Sequence, residues 1–313
     1  MTGKLRYLPY AAGWAIVRAL PERAGAALFR AGADLAVRRR GPGVERLESN
    51  LRRVLGPGVT EDDVTRTLRA ALRSYARYWL EVFRLPAMRP ARIERDMQLA
   101  NFDRLQSAAA AGRGVICVLP HQGNWDVAGA WFIRVGYPFT TVAERLQPKE
   151  LFDRFLAFRE SIGMEVLPTR GGERPPFAVL EERLRAGGIL CLLADRDLTE
   201  RGIEVSFFGD TTRFPAGPAM LAVRTGAVLL PVNLWFRDEG WGGVFHEPVT
   251  PPTRGTDRER IAAMTQSVAT AFESGIRAHP EDWHMLQRLW LADLAVDDPR
   301  RARHDTDDVP RAS

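Results

Sequence analysis

The chain has 313 residues, of which 45% are hydrophobic, and this content excludes wholesale disorder. Its formal net charge of +5 at pH 7 and its pI of about 9.7 indicate an anionic partner, such as phosphate groups or anionic lipid headgroups. Arginine carries nearly all of the positive charge, because the only lysines are Lys4 and Lys149. A planar guanidinium suits phosphate recognition, although the same bias also fits a GC-rich genome.

The first 42 residues contain two apolar helical stretches, which are separated at Pro21 and followed by Arg38, Arg39 and Arg40. Apolar faces beside arginines predict helices that lie in the headgroup layer of an anionic membrane. The alternative is an amphipathic pair packed on the protein's own core. No window offers the ~18 uninterrupted apolar residues that a spanning helix needs, and no secretory signal is evident. These features predict a peripheral protein on the cytoplasmic face of the plasma membrane.

Helical spacing continues through residues 43–84, with a helix start at Thr60. Farther along, short buried runs alternate with helical stretches, and this pattern predicts an α/β fold with a mostly parallel central sheet flanked by helices. The expected strands are 114–119, 188–194 and 227–235, and the expected helices are 124–134, 151–162, 175–186 and 258–278. We therefore expect a membrane-contacting helical extension over 1–42, one catalytic domain over 43–296 and a charged, disordered tail over 297–313.

Cys117 and Cys191 are the only cysteines, and each lies within an apolar run that is typical of a buried strand. They show neither a disulfide framework nor a metal-ligand spacing. We therefore expect no metal ion and a reducing, cytosolic environment.

The six residues from His121 to Asp126, His-Gln-Gly-Asn-Trp-Asp, give the clearest chemical signal. They directly follow the predicted strand 114–119 and precede an apolar helical run, and sites in open α/β sheets form at the carboxyl ends of strands. Pro120 ends the regular strand and Gly123 permits a tight turn. Asp126, in the first helical turn, is therefore expected to fold back onto the His121 imidazole.

This arrangement suits the removal of a proton from an attacking hydroxyl. A neutral imidazole is the usual base near physiological pH, and a carboxylate on its other nitrogen fixes the tautomer. A histidine near an aspartate is more often structural than catalytic, but the strand-to-helix context favours catalysis. We predict His121 as the general base and Asp126 as the residue that orients it. The remaining histidines have no comparable setting: His246, His279, His284 and His304.

The combination of motifs resembles the bacterial lipid A biosynthesis (lauroyl/myristoyl) acyltransferase family. Within that family it is similar to the actinobacterial branch that acylates phosphatidylinositol mannosides. The resemblance extends to about Trp290. It is carried by Tyr75–Leu85, His121–Asp126, Ala143–Arg145, Ala194–Asp197, Phe207–Gly209, Phe214–Pro218 and Asp282–Gln287.

The resemblance implies a glycerolipid-acyltransferase-like sheet with one groove for an acyl chain and a second cleft for the acceptor lipid. It implies transfer of a palmitoyl group from acyl-CoA to the 6-hydroxyl of the mannose on inositol C2, without an acyl-enzyme or a further cofactor. It places Glu144 and Arg159 along the cleft and gives Asp195, in an acidic position, a role in the site. From the residues alone, Asp195, Arg196 and Asp197 follow a strand, where they could bind sugar hydroxyls or form a salt-bridged loop.

Other functions stay open to test. Acylation of a lipid A precursor is the rival within the same family. An esterase or thioesterase is disfavoured because the sequence has no Gly-x-Ser-x-Gly elbow. A non-catalytic lipid-binding protein would explain the basic N-terminal helices but not the setting of His121. A nucleotide-cradling loop is missing, and no nucleic acid partner is expected.

Two further segments have structural and functional interpretations. Residues 207–217 predict a strand and turn before a helix, whose first N–H groups could face an anion or could simply close the sheet. Trp283, Leu286 and Trp290 fall at helical spacing, which is more typical of core or groove wall than of catalysis.

Overall fold

The centre of the protein is a seven-stranded sheet. The structure is a computed structural model, and it describes residues 17–143, 149–169, 174–197, 202–295 and 298. At residues 149–152, 154 and 155 only the backbone is described. Its strands are β1 Met97–Ala100, β2 Val115–Leu119, β3 Phe139–Ala143, β4 Glu165–Pro168, β5 Ile189–Leu193, β8 Val228–Phe236 and β9 Trp241–Phe245. The hairpin β6 Ile203–Phe207 and β7 Asp210–Phe214 stands apart from them.

The strands follow the order β1-β9-β8-β2-β5-β3-β4 across the sheet. All neighbouring pairs are parallel except β8 with β9. The prediction of a mostly parallel α/β sheet is therefore confirmed. The short strands β1, β3, β4 and β9 were not predicted, because their few residues lack the continuous apolar run that marked β2, β5 and β8.

Helices surround the sheet, and their starts follow local capping rules. The helices are α1 Glu22–Arg39, α2 Pro42–Leu55, α3 Glu61–Arg84, α4 Pro90–Asp96, α5 Phe102–Ala110, α6 Trp125–Arg134, α7 Lys149–Ser161, α8 Pro176–Arg185, α9 Gly217–Thr225 and α10 Asp257–Ala278. Thr60 accepts a hydrogen bond from the Asp63 N–H at 3.1 Å, which confirms the predicted helix start. Thr256 and Glu259 form a capping box before α10.

Side chains of the central strands alternate between two cores because successive residues point to opposite faces. Ile116 and Leu190 pack against α8, α9 and α10 on one face. Cys117 packs with α5 and α6 on the other face, and its register partner Cys191 lies against the same cluster. Both cysteines are thiols on strands, as the apolar runs predicted.

Helix α1 packs on α3 through one side only. Gly25 and Ala33 are buried in that contact, whereas Leu28 is 57% exposed and Leu35 is 45% exposed. Helix α1 therefore packs on the protein's own core along one face and leaves an apolar face exposed, and membrane contact through that face stays a prediction. Its first apolar stretch, up to residue 16, and most of the tail over 297–313 lie outside the described residues. Among the described helices, none is both long enough and apolar enough to cross a bilayer.

The segment after α10 is not an α-helix, although its apolar residues fall at helical spacing. A short 3-10 turn at Pro280–Asp282 is followed by irregular backbone up to Trp290. Trp283 and Trp290 are fully buried in the main core, and Leu286 lines a cleft described below. The spacing was therefore misleading about the backbone, but the core and groove-wall interpretation is correct.

Candidate active site

Sheet register brings His121 and Asp195 together. Leu119 of β2 pairs with Leu193 of β5, and each functional residue lies two positions past that pair. The Ala194 N–H donates to the Leu119 carbonyl at 2.9 Å, which keeps the two chains side by side beyond the strands. Parallel strands deliver their carboxyl ends to one edge of the sheet, so residues 74 positions apart become neighbours.

Asp195 holds His121 at both the ring and the backbone. Its Oδ1 lies 2.5 Å from His121 Nδ1, and its Oδ2 accepts the His121 N–H at 2.9 Å. The Trp283 indole N–H also donates to Oδ2, at 2.9 Å. Burial by itself would raise the pKa of Asp195. The charge interaction with His121 and these hydrogen bonds nevertheless hold the pKa below its usual value. Asp195 is thus suited to stay ionised and to keep the proton on Nδ1.

Asp126 has different partners, which corrects the predicted contact with His121. Its Oδ1 accepts from Arg159 Nε at 2.8 Å, and its Oδ2 accepts from the Tyr78 hydroxyl at 2.8 Å. Asp126 is 2% exposed, and its charge raises the pKa of Arg159 against the effect of burial. Burial first, and then the charge of Asp126, raises the pKa of the Tyr78 hydroxyl. Asp126 therefore anchors α6 to α3 and α7, and Asp195 takes the position on the imidazole.

The loop between His121 and α6 is shaped by its own side chains. Gly123 has φ +63°, and a Cβ there would lie 2.7 Å from the Leu234 carbonyl carbon, so only glycine fits. The fully buried Gln122 donates to the carbonyls of Gly275 and His279. Asn124 caps α6 by accepting the Val127 N–H at 3.1 Å.

A second polar network holds the loop from the other side. The Gly123 N–H donates to the Asp282 carbonyl and the His284 N–H donates to the His121 carbonyl. The Ser74 hydroxyl lies 2.6 Å from Asp282 Oδ1 and 2.9 Å from His284 Nε2. Burial raises the pKa of Asp282 to about 7, and burial lowers the pKa of His284 to about 3. No role was predicted for His284, because nothing in its sequence neighbourhood indicates this contact.

Two adjoining cavities meet at the site. A cleft of about 350 Å³ is lined by His121 and Arg159 together with Tyr75, Trp79, Arg196 and Gln287. A cavity of about 100 Å³ lies between α6 and the sheet, and its walls are mostly apolar. The two share Trp125, Val142, Arg159 and Leu193. A substrate with a polar end and an apolar chain could therefore occupy both spaces.

Among the residues that the structure describes, one group has donor atoms close enough for a metal ion. The ligand atoms of His279, Glu281 and Asp282 lie within 4.8 Å of one another. Both Asp282 oxygens already accept hydrogen bonds, from Ser74 and from the Phe236 N–H. This group therefore fits a hydrogen-bonded turn better than a metal site.

Comparison with known proteins shows the family to which the chain belongs. The family described as "Bacterial lipid A biosynthesis acyltransferase" matches residues 3–292. The chain belongs to this acyltransferase family. It is 51% identical over 303 residues to a protein of Mycolicibacterium smegmatis named "Phosphatidylinositol mannoside acyltransferase", with 96% of each chain covered. It is 52% identical over 298 residues to a protein of the same name from Mycobacterium tuberculosis (strain CDC 1551 / Oshkosh), with 94% of this chain and 90% of the relative covered.

The remaining predicted site residues are Glu144, Arg159, Arg196 and Asp197, and the described ones differ in where they lie relative to the cleft. Arg159 and Arg196 line the cleft. Asp197 accepts the Gly202 N–H at 2.7 Å and borders a small separate cavity behind Arg196. Glu144 lies outside the described residues. Its role and the roles of the other site residues stay predictions.

The segment 207–217 forms the end of one hairpin strand, the second strand and the start of α9. The described lining of the cleft includes no residue from this segment. The structural interpretation of a turn that packs on the core is therefore favoured for it. Sequence reasoning gave no site role to several residues of these networks, because each acts through contacts distant in sequence: Ser74, Tyr78, Gln122, Trp283 and His284.

Proposed function

We propose that this acyltransferase moves a fatty acyl group from acyl-CoA to a mannose hydroxyl of a phosphatidylinositol mannoside. The 6-position of the mannose on inositol C2 is the proposed acceptor, and palmitoyl is the proposed acyl group. The names of relatives that are half identical over nearly their whole length support the acceptor class. The observation that carries the chemistry is the His121–Asp195 contact, with His121 in the wall of a cleft that adjoins an apolar cavity.

The geometry supports a direct transfer with His121 as base. A proton on Nδ1, held by ionised Asp195, leaves Nε2 free to accept a proton. Nε2 takes the hydroxyl proton as the sugar oxygen bonds to the thioester carbonyl carbon. The carbon–sulfur bond then breaks, and the imidazolium returns that proton to the sulfur of coenzyme A. Both reactants meet in one cleft, so no acyl-enzyme is needed.

The apolar cavity provides a seat for the acyl chain. Its wall includes residues of β1, β9, β8, β2, β5 and β3, which are consecutive in the sheet. Five strand spacings of about 4.8 Å give a width of ~24 Å across the sheet. An acyl chain in one bilayer leaflet extends ~15 Å, which is half of the hydrocarbon thickness. The lining strands therefore span a distance comparable with the length of a long-chain fatty acyl group.

The cleft and the surface of α1 suit a lipid acceptor at a membrane. Arg196 and Gln287 offer hydrogen-bond donors to sugar hydroxyls or to a lipid phosphate. Leu28 and Leu35 present an exposed apolar face beside Arg38 and Arg39, which are typical of a helix lying on an anionic membrane. These features support a peripheral position on an anionic membrane, and the cytoplasmic leaflet is the proposed side.

The test is mass analysis of products from palmitoyl-CoA with a panel of mannosylated phosphatidylinositols and a lipid A precursor. We expect acylation of the mannosides, and loss of product in His121→Ala with an unchanged folded spectrum. Turnover of His121→Ala close to that of the wild type would exclude the mechanism. Acylation of the lipid A precursor alone would favour the rival acceptor, and release of free fatty acid regardless of acceptor would identify a thioesterase.

A further inference from the structure

Helix α6 covers the apolar cavity, and one of its covering residues has no side chain. Gly129 lies in the middle of this helix and lines the cavity. Glycine inside a helix lowers stability relative to alanine, so its presence there calls for a packing reason. A Cβ at position 129 would lie 2.5 Å from Met164 Cε and 3.1 Å from Phe139 Cζ. The missing side chain is therefore the space into which Met164 fits.

Met164 is a movable part of the cavity wall. It is 5% exposed, lines the same cavity and comes directly before β4. Its unbranched side chain has several rotatable bonds, so its terminal methyl can shift where a branched side chain could not. By contrast, Phe139 is a buried ring on β3 that packs at 5.9 Å from the Phe132 ring centroid and has less freedom. Crowding at Gly129 would therefore displace Met164 rather than Phe139.

We propose that Met164, seated on Gly129, sets the longest acyl chain that the cavity accepts. The proposal rests on the proposed function, since it assigns the cavity to the acyl chain of the donor. A larger residue at position 129 pushes the Met164 methyl into the cavity and shortens the chain that fits. A smaller residue at position 164 removes the methyl from the wall and admits a longer chain. One methylene in a hydrophobic pocket changes binding by ~10-fold or more.

The experiment measures binding of non-hydrolysable acyl-CoA thioethers, from lauroyl to arachidoyl, and turnover with the matching acyl-CoA mixture. Gly129→Ala is expected to reduce the preference for palmitoyl over lauroyl by about tenfold. Met164→Ala is expected to shift the preference toward stearoyl by a similar factor. The double variant Gly129→Ala/Met164→Ala is expected to regain palmitoyl binding, because the displaced side chain is then missing.

Matched controls separate this effect from general loss of packing. Gly32→Ala places the same methyl on a helix where a Cβ meets no atom within 4 Å. Met264→Ala truncates a methionine that is also buried but lies in the core on the other face of the sheet. Neither control should alter chain-length preference. Met164→Val serves as a second variant if Met164→Ala fails to fold.

Unchanged preference in both single variants, or a shift in the same direction in both, would overturn the proposal. A double variant that binds palmitoyl no better than Gly129→Ala would also overturn it. Failure of the proposed function has a different signature. In that case the wild type would acylate no mannoside, while the thioether binding series would still report the length limit of the cavity.

Discussion

Replacing Asp195 with asparagine tests which tautomer of His121 the structure imposes. Two N–H groups, from the His121 backbone and the Trp283 indole, converge on Oδ2, so the single oxygen of asparagine is expected to take that position. The amide NH₂ then faces His121 Nδ1, which must accept a hydrogen bond. The proton is forced onto Nε2, and the base is lost. General-base help amounts to ~10²–10⁴ in rate, so kcat should fall by that factor, or about 3–5 kcal/mol.

The matched variant is Asp126→Asn, which changes the other carboxylate of the motif. Asp126 bonds to Arg159 and Tyr78, and removing one partner of a buried ion pair costs about 3–5 kcal/mol of stability. We therefore expect Asp126→Asn to lower the melting temperature strongly, and Asp195→Asn to lower kcat while staying folded. Single-turnover acyl transfer and thermal unfolding of both variants provide the measurements. Turnover of Asp195→Asn within about threefold of the wild type would refute the reasoning, because tautomer control is worth ~10² or more.

Three other changes have defined outcomes. Gly123→Ala should lower the melting temperature and the yield of folded protein, because its φ of +63° and the 2.7 Å approach to the Leu234 carbonyl carbon leave no room for a methyl; normal stability would show that the loop can move. Asp282→Asn should gain stability relative to the wild type as pH rises from about 4 to 7, by at most about 4 kcal/mol. Burial raises the Asp282 pKa to about 7, so between about pH 4 and 7 the carboxyl is ionised in the unfolded chain but still protonated in the folded protein, and the wild type loses stability as pH rises. A pH-independent difference in urea unfolding would contradict this. Leu28→Glu with Leu35→Glu should weaken sedimentation with anionic vesicles, and unchanged partitioning at low and high salt would show that α1 does not contact the membrane.

Much of the architecture could be predicted from local pattern. Clear strand character marked the buried runs before His121 and Asp195 and the run that forms β8, and Thr60 marked the start of α3. Short strands such as β4 could not be predicted, since four residues offer too little periodicity to separate a strand from a turn. The spacing of Trp283, Leu286 and Trp290 indicated a helix, because apolar residues three or four positions apart are typical of one helix face. An irregular segment that is buried on one side can show the same spacing, as residues 283–290 do.

The position of a histidine at the carboxyl end of a buried strand, with a glycine turn and a helix after it, follows from the amino-acid pattern alone. That information is local, because strand, turn and helix depend on neighbouring residues. Which carboxylate reaches the imidazole ring depends on contacts between distant parts of the chain. Asp126 is five positions away but is held by Arg159 and Tyr78, whereas Asp195 is 74 positions away and is brought to Nδ1 by the register of two parallel strands. The register between β2 and β5 depends on how the whole sheet packs, so it cannot be inferred from the number of residues between His121 and Asp195.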